Sequence, residues 1–443
     1  MKQRITYLLP EGHRADAEDI EIDSDSLKYT KAGQAAEEWR ITLGWDELPS
    51  SYSRVRRILD ATFVQRLLGD KATDDEAARL RVQELDHADY TDVDFDAISS
   101  TITLTAVWSP VASAENFNST RRASGKIRGS GANQRIEVGV LHPEKAKEPE
   151  ELSLGGFLTV IGDNDHPSRT LFAFPARHHP LPPADTTTFK ASFQQPTGLH
   201  PELQITLPQE HLTPPKDTCR LHAYWTLPSA LFLDRYQFSD SLFLASKHLV
   251  KLHSLSGEQD LEAPDWVIDR WGSAALLELA TPPARPTVNE NVSSQWTATV
   301  PTHLRYLTAR PNSTANADFH YLTSDANSVN DSSHATLDVP WPIVFWACEA
   351  EEGLKMATNP FDRVNLGYDG LFGPKTMFYH IPPAVNSIVE TIRVPVLDIG
   401  KWVPIGTLMT VALGFAWVCW RLFRAVSVTG GSTTRVKEKN KKQ

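Results

Sequence analysis

The sequence predicts a mainly β protein: a luminal, antiparallel β-sandwich-like region, preceded by a mixed N-terminal part and followed by one C-terminal transmembrane helix. Three observations predict it. From Arg135 onward, short apolar or alternating runs are separated by turn residues. Thirty Pro and 23 Gly among 443 residues disfavour long continuous helices and favour strands joined by turns. Finally, Trp402–Trp420 (WVPIGTLMTVALGFAWVCW) contains no charged residue.

Residues 1–130 are the least patterned. Val55–Leu68 (VRRILDATFVQRLL) carries apolar residues at helical spacing, and Asp74–Leu85 continues weakly in that style. Ile102–Trp108 alternates as a strand does. Ser119–Gln134 is polar, basic and Gly-containing, the composition of a linker or loop. Its Arg121, Arg122, Lys126 and Arg128 are expected to be solvated.

Residues 131–400 read as the β domain. Strands are expected at Ile136–Leu141, Leu158–Ile161, Leu171–Phe174, Leu203–Leu207, Leu221–Thr226, Ala275–Leu279, Thr297–Val300 and Leu304–Leu307. Asp234 and Arg235, beside Tyr236, read as a surface ion pair. Asp260, Glu262, Asp265 and Asp269 read as a charged surface around a buried Trp266, because their spacing is not that of an EF-hand.

The span, residues 401–423, is long enough as a helix to cross about 30 Å of hydrocarbon. Trp402, Trp417 and Trp420 suit its interfacial zones, and Pro404 falls in the first turn, where its missing N–H costs least. The chain carries a formal charge of -11, yet Arg421–Gln443 holds seven Lys or Arg against one Glu. The acidic remainder excludes nucleic acid as a partner of the body. A basic tail after the span places residues 424–443 in the cytosol and the body across the membrane. The opening MKQRITYLLPEGHRADAEDI holds no apolar h-region of signal-peptide length, so either the late span drives translocation or the orientation is reversed. Lys439 and Lys441 stand in a terminal KxKxx pattern that resembles a dilysine retrieval signal of the endoplasmic reticulum.

Asn118, Asn291, Asn312 and Asn330 head N-x-S/T sequons, which agree with luminal exposure. Cys219 and Cys348 are the only cysteines outside the apolar segment, so one bridge and two separately buried thiols both remain open. The chain has no G-x-S-x-G, H-E-x-x-H, P-loop, dinucleotide glycine pattern or C-x-x-C. No cofactor and no metal is expected.

Several segments stand out together: Gly198-Leu199-His200-Pro201, Cys219–Leu227 (CRLHAYWTL), Leu231–Phe238 (LFLDRYQF), Asp260–Pro264, His303-Leu304-Arg305-Tyr306 and Pro340–Cys348 (PWPIVFWAC). In order and content, from Ile136 to Trp420, they resemble the fungal branch of the PIG-X family, accessory subunits of glycosylphosphatidylinositol (GPI) mannosyltransferase I. The residues before them match a more variable extension. The resemblance implies a non-catalytic, stabilising role in the lumen of the endoplasmic reticulum. Its partner would be a multispanning PIG-M-like mannosyltransferase, which adds the first mannose to the GPI precursor from dolichyl-phosphate mannose. A general luminal chaperone is the alternative, as is a luminal glycan-processing enzyme using carboxylates such as Asp234 and Asp265.

His200, His303 and Arg305 are either structural or partner contacts. On a continuous strand, Leu304 and Tyr306 would pack while His303 and Arg305 face a polar surface. Trp341 and Trp346 belong either to the core, to the membrane interface or to the partner surface. Pro340 and Pro342 argue for an edge, because neither can donate to a ladder.

Overall fold

The computed structural model describes residues 2–9, 12–16, 18, 20–22, 26–29, 34–44, 53–55, 90–96, 101–108, 127–128, 135–161, 168–181, 188–208, 212–268, 272–282, 295–307, 334–351, 354–356, 367–384, 389–396 and 402–430. The stretch 56–89, the four sequon asparagines, Asp269, Lys439 and Lys441 lie outside the described residues.

The first part of the chain contributes β1 (Lys2–Leu8), β2 (Ile20–Ile22), β3 (Ser26–Tyr29), β4 (Gln34–Gly44), β5 (Ser53–Val55) and β6 (Tyr90–Asp96). Then follow β7 (Thr101–Trp108), β8 (Ile127–Arg128), β9 (Arg135–Pro143), β10 (Leu154–Ile161) and β11 (Arg169–Phe174). Eight of them form one sheet in the order β11-β10-β9-β1-β4-β7-β6-β5, while β2, β3 and β8 form a small second sheet. The described N-terminal elements are thus strands, and β8 lies inside the stretch expected as a loop. The expected divide at residues 130/131 falls within the large sheet, because β1 pairs in parallel with β9. The buried Arg4 and Glu137 sit opposite each other in that pairing, with Nε 2.8 Å from Oε2. An ion pair with both members buried fixes register, since a slip would leave two uncompensated charges.

The second part contributes β12 (His178–Pro180), β13 (Lys190–Phe193), β14 (Glu202–Pro208), β15 (Arg220–Pro228), β16 (Leu231–Phe232), the short helix α1 (Ser241–Ser246), β17 (Leu249–Gly257) and β18 (Gly272–Leu279). After these come β19 (Gln295–Pro301), β20 (His303–Leu304), β21 (His334–Pro340), β22 (Ile343–Glu349), β23 (Thr376–Ile381) and β24 (Val389–Pro395). Six strands run in the order β12-β23-β22-β15-β18-β17, antiparallel except for β12 beside β23.

Alternation along these strands gives the six-stranded sheet two different faces. One face presents Leu221, Ala223 and Trp225 from β15, Leu277 and Leu279 from β18, Val344 and Trp346 from β22, and Met377 and Ile381 from β23. They pack against Leu203, Ile205 and Leu207 of β14, Val300 of β19, and Leu337 and Ile392 of the β21–β24 pair, which closes a sandwich-like core. Trp225 Nε1 donates to the Pro340 carbonyl at 2.7 Å across the two layers. Cys219 and Cys348 stand one step beyond the Arg220–Ala347 pair of β15 and β22, and a disulfide joins them.

The aromatic run 340–348 therefore lies at the centre of the fold. Pro340 ends β21 and Pro342 precedes β22, so both prolines fall outside the ladder that β22 makes with β15 and β23. Trp346 is 1% exposed and has no surface to offer a partner, which corrects the contact reading for that residue. Trp341 is half-buried, packed on the core and 5.7 Å from the Phe189 ring.

After β24 the chain continues into α2 (Trp402–Gly430). Val403–Ser427 is long and apolar enough to cross a membrane. The helix runs past the expected end at residue 423, so Arg421 and Arg424 lie on it, above the rings of Trp417 and Trp420. Thr407 and Thr410 donate their hydroxyls to the carbonyls of Val403 and Gly406, which satisfies both without a partner outside the helix.

Candidate functional site

Four of the segments singled out in the sequence meet at one place. Leu231 pairs with Leu304 and Phe232 with His303 in the two-stranded β16–β20 ribbon. On the flank of β20, Leu304 N donates to Leu199 O and Thr302 N to Pro201 O, each at 3.0 Å. Beyond β20, Arg305 N donates to Ala230 O at 2.8 Å, and Asp265 N donates to Tyr306 O at 3.0 Å. The segments around residues 200, 231, 263 and 304 are thus tied together through their backbones.

On this frame His200 Nδ1 lies 2.8 Å from His303 Nδ1, the two rings meeting edge to face. His303 also stacks on Phe232 at 5.3 Å, and its Nε2 faces Gln237 Oε1 at 3.4 Å. Burial, and then the neighbouring His200, push the His303 imidazole below its ordinary value.

Arg305 does not follow strand parity. β20 ends at Leu304, and Arg305 turns inward to 3% exposure while Tyr306 stands 70% exposed. Its Nε donates to Ser229 O at 3.1 Å and its Nη1 to Ala263 O at 2.7 Å, and the guanidinium lies over the Phe232 ring. Burial lowers its pKa from the ordinary value, against the opposing influence of Glu258, Asp260 and Asp265. The acidic segment is inverted relative to expectation: Asp265 is buried, accepting the Ser229 hydroxyl at 2.6 Å, and Trp266 is exposed. The Ser229 hydroxyl holds the carboxylate inside, and the indole is left outside.

Asp234 and Arg235 do not pair with each other. Asp234 Oδ1 accepts from Tyr236 N at 2.9 Å, and Arg235 Nη2 donates to Tyr236 Oη at 3.0 Å. Around the buried charges stand five exposed apolar side chains, Leu199, Tyr236, Trp266, Val267 and Tyr306. Such a rim, with exposed Trp and Tyr over a rigid hydrogen-bonded base, has the make-up of a protein-binding surface.

A second histidine cluster occupies the other face of the six-stranded sheet, where sequence spacing gave no signal. His178 Nε2 donates to Asp369 Oδ2 at 2.9 Å, and His178 Nδ1 lies 2.9 Å from His380 Nε2. Tyr368 Oη approaches the same His380 nitrogen at 3.1 Å. Phe345, Tyr368, Phe372 and Phe378 wall the cluster in. Burial lowers the His380 pKa to about 4. Only pairing across β12, β22 and β23, with the 3-10 turn Gly367–Leu371 above them, brings these residues together.

The sequence model described as PIG-X / PBN1 matches residues 196–423. The chain belongs to the PIG-X/PBN1 family. It is 42% identical over 366 residues to Protein pbn1 of Emericella nidulans, a match spanning 79% of this chain and 64% of the relative. It is 40% identical over 409 residues to Protein pbn1 of Aspergillus oryzae, spanning 84% and 69% respectively. Protein PBN1 of Saccharomyces cerevisiae is 26% identical over 298 residues, spanning 66% of this chain and 59% of the relative. All four converging segments fall within the PIG-X/PBN1 match, which also takes in the whole aromatic run and most of α2.

Proposed function

We propose that the chain is a non-catalytic subunit of GPI-anchor biosynthesis that binds and stabilises the multispanning PIG-M-like mannosyltransferase adding the first mannose. The observation that carries this reading is the convergence of residues 198–201, 229–238, 260–267 and 302–306 on one aromatic-rimmed surface. At its base Arg305 and Asp265 are buried and hydrogen-bonded within the fold, where they serve as scaffold. A carboxylate pair working on a glycan has to reach the scissile bond from both sides, about 5–10 Å apart. Asp265, enclosed beneath Ser229, suits that task poorly.

In this reading α2 anchors the protein in the endoplasmic reticulum membrane, with the body luminal and the tail, residues 424–443, cytosolic. Asn118, Asn291, Asn312 and Asn330 are then the glycan acceptors, and Lys439 and Lys441 the retrieval signal. Quantitative membrane proteomics after depletion of the protein tests the function. Selective loss of one mannosyltransferase supports the subunit role, and broad loss of luminal and membrane proteins replaces it with a general chaperone. Protease treatment of intact microsomes tests the topology: the tail should be cleaved while the body is protected, and the reverse pattern would invert it.

A further inference from the structure

We propose that His222, His253 and Glu278 form a binding site for a divalent transition-metal ion of the zinc class. The three residues lie on three neighbouring strands, β15, β17 and β18. Glu278 on the middle strand stands directly opposite His222. On its other side the register between β17 and β18 slips between Leu252 and Ser254, leaving His253 as the extra residue. A bulge of this kind re-aims a side chain. Here His253 Nε2 comes to 2.7 Å from Glu278 Oε2, and the His222 and His253 rings lie 5.4 Å apart. One donor atom from each residue falls within 4.8 Å of the other two.

The site is organised before any ion arrives. His222 is 4% exposed, stacked on Phe345 at 5.8 Å and met edge-on by Phe372 at 5.2 Å. Its Nδ1–H donates to the Arg220 carbonyl at 2.9 Å, so Nε2 keeps the lone pair that a metal requires. The Glu278 side chain is 16% exposed and that of His253 33%, which opens the site on one side. An ion can enter there, and a remaining coordination position faces water.

The donor set selects the class of ion. Two imidazole nitrogens and one carboxylate oxygen suit zinc and its neighbours, whereas calcium and magnesium seek six or more oxygens. Tetrahedral zinc at about 2.0–2.1 Å from each ligand needs donor atoms about 3.4 Å apart. Modest rotation of the partly exposed His253 and Glu278 side chains provides that. The ion would tie β17, an edge strand interrupted by its bulge, to the two strands that follow it into the sheet.

The test uses the full chain purified in detergent through a histidine-free tag and stripped with EDTA. Zn2+ is titrated calorimetrically, and Co2+ serves as the spectroscopic probe of ligand geometry. One Zn2+ per chain is expected, with a thermal midpoint raised by zinc. His253→Ala and Glu278→Gln should each weaken binding at least about tenfold and abolish the thermal shift, while a control His13→Ala changes neither. Because His253 is exposed and Gln keeps the shape of Glu, both variants should retain the wild-type circular dichroism spectrum; if one fails to fold, the other decides. A wild-type chain without stoichiometric Zn2+ binding overturns the proposal, as does either folded variant binding Zn2+ as tightly as the wild type.

Discussion

Two histidine pairs in this protein meet at nearly the same distance, one with stacked rings and the other edge to face, and their surroundings differ. His178 and His380 meet at 2.9 Å, and His200 and His303 at 2.8 Å. The first pair is extended by Asp369 and Tyr368 and packed against the buried rings of Phe345 and Phe378. The second sits on the loop-borne β16–β20 ribbon, backed by Phe232 and surrounded by exposed Trp266 and Tyr306. The contrast teaches that a histidine pair acquires its role from its enclosure. Where buried aromatic rings and hydrogen-bonded partners pack around it, it belongs to the fold. Where one side stays open beside unpaired aromatics, it belongs to a surface that another molecule can cover.

Substitutions should separate the two settings. Phe378, fully buried beside the first pair, is expected to show the largest effect: Phe378→Ala should destabilise the folded protein by about 3–5 kcal/mol in denaturant unfolding. A loss near zero would mean that the aromatic wall does not hold that face. Removing the β15–β22 disulfide by Cys219→Ala with Cys348→Ala should cost about 2–5 kcal/mol, read the same way. The bridge closes a long loop in the unfolded chain and lies on the strands that carry both faces, so its loss should weaken the enclosed pair and spare the geometry of the open one.

Acid supplies a third distinction. The folded His380 pKa is lowered from 6.5 to about 4, so the unfolded chain takes up a proton that the folded chain refuses. Stability is full above about pH 6.5 and falls as the pH drops towards 4, by up to about 1.4 kcal/mol per pH unit for this group. His380→Phe should flatten that slope by one proton; an unchanged slope would place the titration elsewhere. His303 is shifted in the same direction but stands more open, and its contribution should be weaker.

Much of the fold was legible because it rests on local pattern. β14 alternates half-buried and buried residues from Glu202 to Pro208, as an interior strand with one covered face must, and the uncharged stretch from Trp402 gave the apolar helix directly. β15 is buried from Leu221 to Leu227 because both of its faces are covered, and its short run Leu221–Thr226 between turn residues still reads as a strand. What stayed hidden depends on long-range register. Nothing near Arg305 shows that β20 stops at Leu304 or that the carbonyls of Ser229 and Ala263 draw the guanidinium inward. Nothing near Trp266 shows that Asp265, and not the indole, is buried. The prolines of the aromatic run pointed to an edge, although the sheet resumes at Ile343 just past them. The His222–Glu278–His253 cluster exists only because β17 bulges beside β18.

The central claim is that the surface around His303 binds the mannosyltransferase and does little for folding. Co-purification of the catalytic subunit from detergent-solubilised membranes tests it most directly, comparing wild type with a Trp266→Ala, Tyr306→Ala double variant at matched expression. The variant should unfold within about 0.5 kcal/mol of the wild type, because both side chains are exposed. Co-purified enzyme should nevertheless fall at least about tenfold, as the loss of aromatic anchors worth about 2 kcal/mol requires. A well-folded variant that recovers as much mannosyltransferase as the wild type would contradict the account.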